Sequence, residues 1–320
     1  MKSFFLPLLS SLVFAFSVNL LEAQELNYIA MADSSKVYLA QGDSTTATLW
    51  LERGVQASQT IDFSQYAPTS EDYQAFLHLY LSLGQIRSNI QKDYKGAIAL
   101  FEQVYATNDK MGNFTEESQK TALNGIFRAA YYNKAPQKQI EALKKGISIA
   151  NQKIAYYKKQ NSPLELNRAE KDKMLHFNDG LFISFTHQLQ KELLYFAKQK
   201  QAVLLAKQQT STADYLSTLA TLAKCYLIQE EFLLSLEYLQ EANRLVKNTP
   251  ELYHTYSNVY LIQIRAAYYY NIENFSLAIQ QYKKAMKIVQ KMPGNQYFTL
   301  NFLNLMLWKV YIDKRITPQY

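Results

Sequence analysis

Along Ala213 to Leu245 the apolar positions fall at spacings of three and four, the period of a helix with one buried face. Leu216, Leu219, Ala220, Ala223, Tyr226 and Leu227 make a first stripe, and Phe232, Leu236, Leu239, Ala242 and Val246 make a second. Glu230-Glu231 separates them as a short turn. Neither stripe can bury itself alone, so the pattern predicts an antiparallel helix hairpin. Forty-three residues on, Ile262, Ala266, Tyr269, Asn274-Phe275, Ala278, Tyr282 and Ala285 repeat the small and large positions of Leu219 to Ala242 without a gap.

The same alternation marks other stretches. Gly42 to Ala47, with Leu51, Gly54 and Tyr38, predicts one hairpin near the N-terminus. Leu83-Gly84, Asp93 to Ala97, Phe101 and Val104 predict another, whose first helix carries one extra residue. Gln139, Leu143 and Gly146 indicate a third, and spacing alone assigns a fourth to Ala169–Phe185 with Leu189–Lys207. Ser70 or Thr69, Pro163 and Pro250 are expected at helix starts, where a side-chain acceptor caps and a missing N–H costs nothing. Met292 to Asn295 is expected to stop the sixth hairpin.

Small residues where two helices cross and large ones between neighbouring hairpins resemble the tetratricopeptide repeat (TPR), in a longer-helix variety. The resemblance implies an all-α, right-handed solenoid of about six hairpins over residues 24–292, and it specifies a fold rather than an activity. It further implies a groove lined by first helices that grips a peptide or partner protein. Tyr226, Tyr256, Asn258, Arg265 and Tyr269 are the expected partner-binding residues there, as Tyr offers contact area and a hydroxyl at low entropic cost. Residues 293–320 form a capping or docking segment. Its helix, from Tyr297, has apolar residues round most of its circumference, and by the forty-three-residue period it opens a seventh hairpin with no second helix. Phe298, Phe302, Leu305 and Trp308 are the candidate contacts for a partner or for a homodimer, against the alternative of a plain cap.

The first 23 residues change the expected compartment. Lys2, an apolar run from Phe4 to Leu21, and Leu21-Glu22-Ala23 read as a signal peptide cleaved before Gln24, with a retained membrane anchor as the alternative. The expected protein is therefore periplasmic or secreted, with no stable membrane span after cleavage. Gly and Pro number nine and seven, too few for a turn-rich sheet protein. The lone Cys225 rules out an intrachain disulfide framework.

Net charge is +7, concentrated between Lys134 and Lys173, where ten basic residues face four acids. That excess reads as a solvated helix face or as a patch for an acidic partner. Nucleic acid is not expected of an exported chain. His78, His176, His187 and His254 are too scattered for a metal site, and His176 with Asp179 reads as a solvated or capping pair rather than a metal or acid–base pair. No phosphate-binding loop, nucleophile elbow or paired-cysteine motif occurs. No catalytic residue, cofactor or metal is therefore expected, and the chain reads as a non-catalytic interaction scaffold. The alternative is a sensory or assembly subunit docking through its last helix. Asn113-Phe114-Thr115 and Asn274-Phe275-Ser276 have the form of glycosylation sequons.

Overall fold

The computed structural model describes residues 27–112, 117–294 and 296–314. The expected signal peptide and the Asn113 sequon lie outside them. Among the described residues there are thirteen α-helices and no strand. The first six are α1 Asn27–Ala40, α2 Ser44–Ala57, α3 Glu71–Ile86, α4 Tyr94–Lys110, α5 Glu117–Tyr132 and α6 Pro136–Lys159. The others are α7 Pro163–Thr186, α8 Gln190–Ala206, α9 Ala213–Ile228, α10 Phe232–Asn248, α11 Tyr256–Asn271, α12 Phe275–Val289 and α13 Tyr297–Asp313. They make six hairpins and one unpaired helix, arranged in two compact units that divide after His176, within α7.

In the first unit each helix from α1 to α6 packs on its predecessor, and first helices also lie side by side, α1 with α3 and α3 with α5. In the second unit α9 to α13 do the same in order, and α9 lies beside α11. This stacking of hairpins in chain order is the TPR-like solenoid arrangement. Its small positions are buried: Ser35 with Ala47, Ala223 with Ser235, Ala266 with Ala278. The Ser235 hydroxyl donates to the Ala223 carbonyl at 2.9 Å, so the two helices meet backbone to side chain. Three helical glycines receive large side chains. A Cβ on Gly84 or Gly125 would lie 2.8 or 2.6 Å from the Phe101 ring, and one on Gly54 would lie 2.5 Å from Leu79.

One turn recurs six times. The second residue before each second helix has positive φ: Gly42, Lys92, Lys134, Gln188, Glu230 and Glu273. The following N–H reaches back five residues to the first helix, as from Asp43 to Tyr38, Ala135 to Ala130, Leu189 to Ser184, Glu231 to Tyr226 and Asn274 to Tyr269. This left-handed C-terminal cap satisfies carbonyls that a helix end would leave open. The second turn alone reaches back six, from Asp93 to Arg87. There Arg87–Gln91 forms a π-turn that absorbs the extra residue expected in this hairpin.

Two expectations change. Pro250 opens a 3-10 turn over Pro250–Leu252 whose Leu252 is buried, and α11 starts only at Tyr256, capped by the Thr255 hydroxyl. Tyr297 lies 41 positions beyond Tyr256, so α13 departs from the forty-three-residue period. It still packs on α12, burying Leu303, Leu307 and Val310. Elsewhere Ser70 caps α3, bonded by the Tyr73 N–H at 3.2 Å, and Pro163 is the first residue of α7.

Candidate functional site

In the second unit, the last turns of α7 and the faces of α9 and α11 enclose a groove of about 350 Å³ with α8 behind it. Asn178, Phe182 and Phe185 come from α7, Ser217 and Thr221 from α9, and Tyr260 from α11. Helical spacing puts Phe182 and Phe185 on one face, and Phe182 is 71% exposed. Gly180, behind them, is the hole into which the buried Phe196 ring fits, with a Cβ position 2.6 Å from it.

Two lysines stand at or beside the groove. The Lys200 ammonium, almost fully buried, donates to Asn178 Oδ1 at 2.7 Å and pairs with Asp214 Oδ1 at 3.3 Å. That pairing meets the need of a buried ammonium for a counter-charge. Lys224 has no carboxylate partner among the described residues, and its Nζ lies 3.6 Å from the centre of the Phe185 ring. Burial pushes the Lys224 ammonium below its usual range. A cation–π contact offsets about 0.5–2 kcal/mol of such a penalty. Burial also pushes the Tyr260 phenol up to about 12, so it stays neutral and can donate. The surface thus presents an exposed aromatic ring and several hydroxyl and amide groups, beside a cation that among the described residues is met by a ring rather than by a carboxylate.

The partner-binding residues expected from the sequence do not line this pocket. Tyr226 is buried, stacked on Tyr238 of α10 at 5.6 Å with the rings 9° apart. Asn258 is buried and donates to the Tyr253 carbonyl at 2.7 Å. Arg265 is half-buried and donates to Asn243 of α10, and burial lowers its guanidinium pKa. Tyr269 is half-buried with its edge on Tyr268, and Tyr256, the first residue of α11, is exposed. Two of the five therefore face α10, and none lines the groove. Phe182, Phe185, Lys224 and Tyr260 were legible as residue types, but no motif position marks them.

On α13 the buried Leu303, Leu307 and Val310 set the inner face. Phe298, Leu305 and Ile312 fall opposite, 84%, 67% and 68% exposed, with Phe302 and Trp308 at the edges of that stripe. The helix is tied down by a hydrogen bond between Tyr270 and Asp313, and by Lys314 Nζ to Ser276 Oγ at 2.8 Å.

Among the described residues no cluster of His, Cys, Asp and Glu has metal-binding geometry. The Cys225 thiol is buried and pushed up to about 11, which suits packing rather than nucleophilic attack. Asn274 is engaged as the cap of α12, accepting from the Leu277 N–H at 3.3 Å. No described helix is long and apolar enough to cross a membrane.

No family model matches the sequence, and no curated protein does. Among solved structures, the chain is similar to a Podosopora anserina protein with nearly identical TPR-like repeats, assigned as a kinesin light chain. Identity is 16% over 70% of this chain and 97% of that one, with a TM-score of 0.35. A point variant of it gives 15% identity, 71% and 98% coverage and a TM-score of 0.34. The TPR domain of P58(IPK) is 15% identical over 90% of this chain and 89% of that one, with a TM-score of 0.25.

Proposed function

We propose that the protein is an exported, non-catalytic scaffold of the cell envelope or secreted space that holds a segment of a partner protein in the α7–α9–α11 groove. Stacked helix hairpins commonly serve as interaction surfaces because neighbouring first helices make one extended face. The observation that carries the reading is Phe182 standing in solvent one helical turn from Phe185, whose ring carries Lys224, a cation with no carboxylate partner among the described residues. An apolar side chain covering Phe182 and a carboxylate reaching Lys224 would supply what this surface lacks.

Selection from a random linear peptide library on the purified protein tests it. Enriched sequences should combine an apolar residue with an acid, and Phe182→Ala with Lys224→Gln should weaken them at least tenfold. Absence of enrichment, or binding unchanged in that variant, sinks the groove reading. Export is tested separately: secreted protein should begin at Gln24 by mass.

The stripe on α13 favours a second reading, docking of a partner or a second copy through Phe298, Leu305 and Trp308. Light scattering on the full chain and on a chain ending at Pro293 separates the two. A dimer that becomes a soluble monomer on truncation assigns the helix to an interface. Two monomers, with the shorter one aggregating, make it a cap.

A further inference from the structure

The first unit contains a cavity that the groove reading does not use. It lies between α5, α6 and α7, has a volume of about 210 Å³, and draws part of its lining from the basic stretch Lys134 to Lys173. Its inner wall is apolar and small, with Leu123 on α5, Gly146 and Ala150 on α6 and Ala169 on α7, all buried. Its outer wall is charged. Lys120 and Asp172 face each other at 3.9 Å, each about half exposed. Lys153 also lines it and has no ion pair among the described residues.

The space is open because one packing position differs between hairpins. In the first hairpin, Gly54 on the second helix is plugged by Leu79 of the following first helix. In the third hairpin the equivalent glycine is Gly146, and the side chain that meets it is the His176 imidazole, whose Nε2 lies 2.6 Å from a Cβ position there. A branched apolar plug is thus replaced by a flat polar ring, and the volume beside it is left unfilled. Natural interiors rarely leave such space, because each unfilled contact is lost packing energy. The space joins an apolar interior to a rim with two ammonium groups, one carboxylate and an imidazole.

We propose that this cavity binds a small amphipathic carboxylate, its apolar body against Ala150 and Ala169 and its anionic head on Lys153. A cavity of about 150 Å³ holds a benzene ring, so this one holds an apolar body of about six to nine carbons. The head would make a charge-assisted hydrogen bond, and charge is in its favour because Lys120 is already countered by Asp172. A neutral or cationic ligand of the same shape leaves Lys153 unanswered. The proposal is independent of the groove in the second unit.

The test is calorimetry on the full chain with 4-phenylbutanoate, its amide, and an acetylated tripeptide ending in Phe as a free acid. The acid should bind with a Kd below about 1 mM. The amide should bind at least tenfold more weakly, and Lys153→Gln should cause a similar loss. Ala150→Leu should abolish binding by filling the cavity, with an unchanged helical signal showing that the variant folds. Phe182→Ala with Lys224→Gln should leave the acid's affinity unchanged, which separates this site from the groove. Equal binding of acid and amide, no heat from the acid, or indifference to Lys153→Gln overturns the proposal. Tighter binding of the tripeptide than of the free acid would assign the site to a chain end and overturn the small-molecule assignment.

Discussion

Single residues set the turns. Glu230 and Glu273 hold φ of 61° and 59°, a conformation in which a Cβ crowds the following carbonyl. Glycine would relieve that strain while losing more freedom on folding, leaving Glu230→Gly about 0.5–1 kcal/mol more stable by thermal or urea unfolding. The turn itself was legible in Glu230-Glu231, but its left-handed residue was not, since neither side chain announces positive φ. Phe101, clamped between Gly84 and Gly125, shows a partial case, because Gly84 and the ring were read as repeat positions whereas Gly125 was not. Phe101→Ala should cost about 3–5 kcal/mol in the same measurement.

His78 carries a pH prediction. Burial, helped by Lys36 and opposed by Asp33, holds its imidazole below the usual range, and Nε2 meets the Ser35 hydroxyl at 2.8 Å. The unfolded chain takes up its proton first, at about pH 6.5. Stability present above that pH is therefore lost as pH falls toward the folded value. The thermal midpoint should fall further between pH 7 and pH 5 in the wild type than in His78→Gln; equal falls would count against the assignment.

At the scale of elements, α13 was legible as a helix and illegible in its orientation. Apolar residues surround it, so periodicity could not choose a side, and its shorter spacing from α11 broke the register that would have predicted one. Packing on α12 chose Leu303, Leu307 and Val310. Leu307→Ala should therefore destabilise the second unit by about 2–5 kcal/mol, whereas Leu305→Ala, at an exposed position, should stay within about 0.5 kcal/mol.

For the whole molecule, no intrachain disulfide adds to cohesion. Cys225 is the one cysteine and it is buried, so a thiol reagent should react only as the second unit opens, and a reductant should leave the thermal midpoint unchanged. The order of hairpins was legible from recurring small residues. The third rested on Gln139, Leu143 and Gly146 and the fourth on spacing alone, because α6 and α7 run to 24 residues and outgrow the motif. The groove was not legible. Phe182, Lys224 and Tyr260 lie on three helices far apart in sequence, and no local period ties together residues that meet only after hairpins stack.

The π-turn at Arg87–Gln91 bears on how such a chain tolerates change. An added residue would rotate everything after it by about 100° if the helix simply continued. Here the slip is taken up within one turn, so Asp93 caps α4 at Gly96 as Asp43 caps α2 at Thr46. Each hairpin thus works as its own frame, correcting phase errors before they reach the next. Lengthening or shortening the chain at a first-helix end would be a local edit, read by one hairpin and silent to the others.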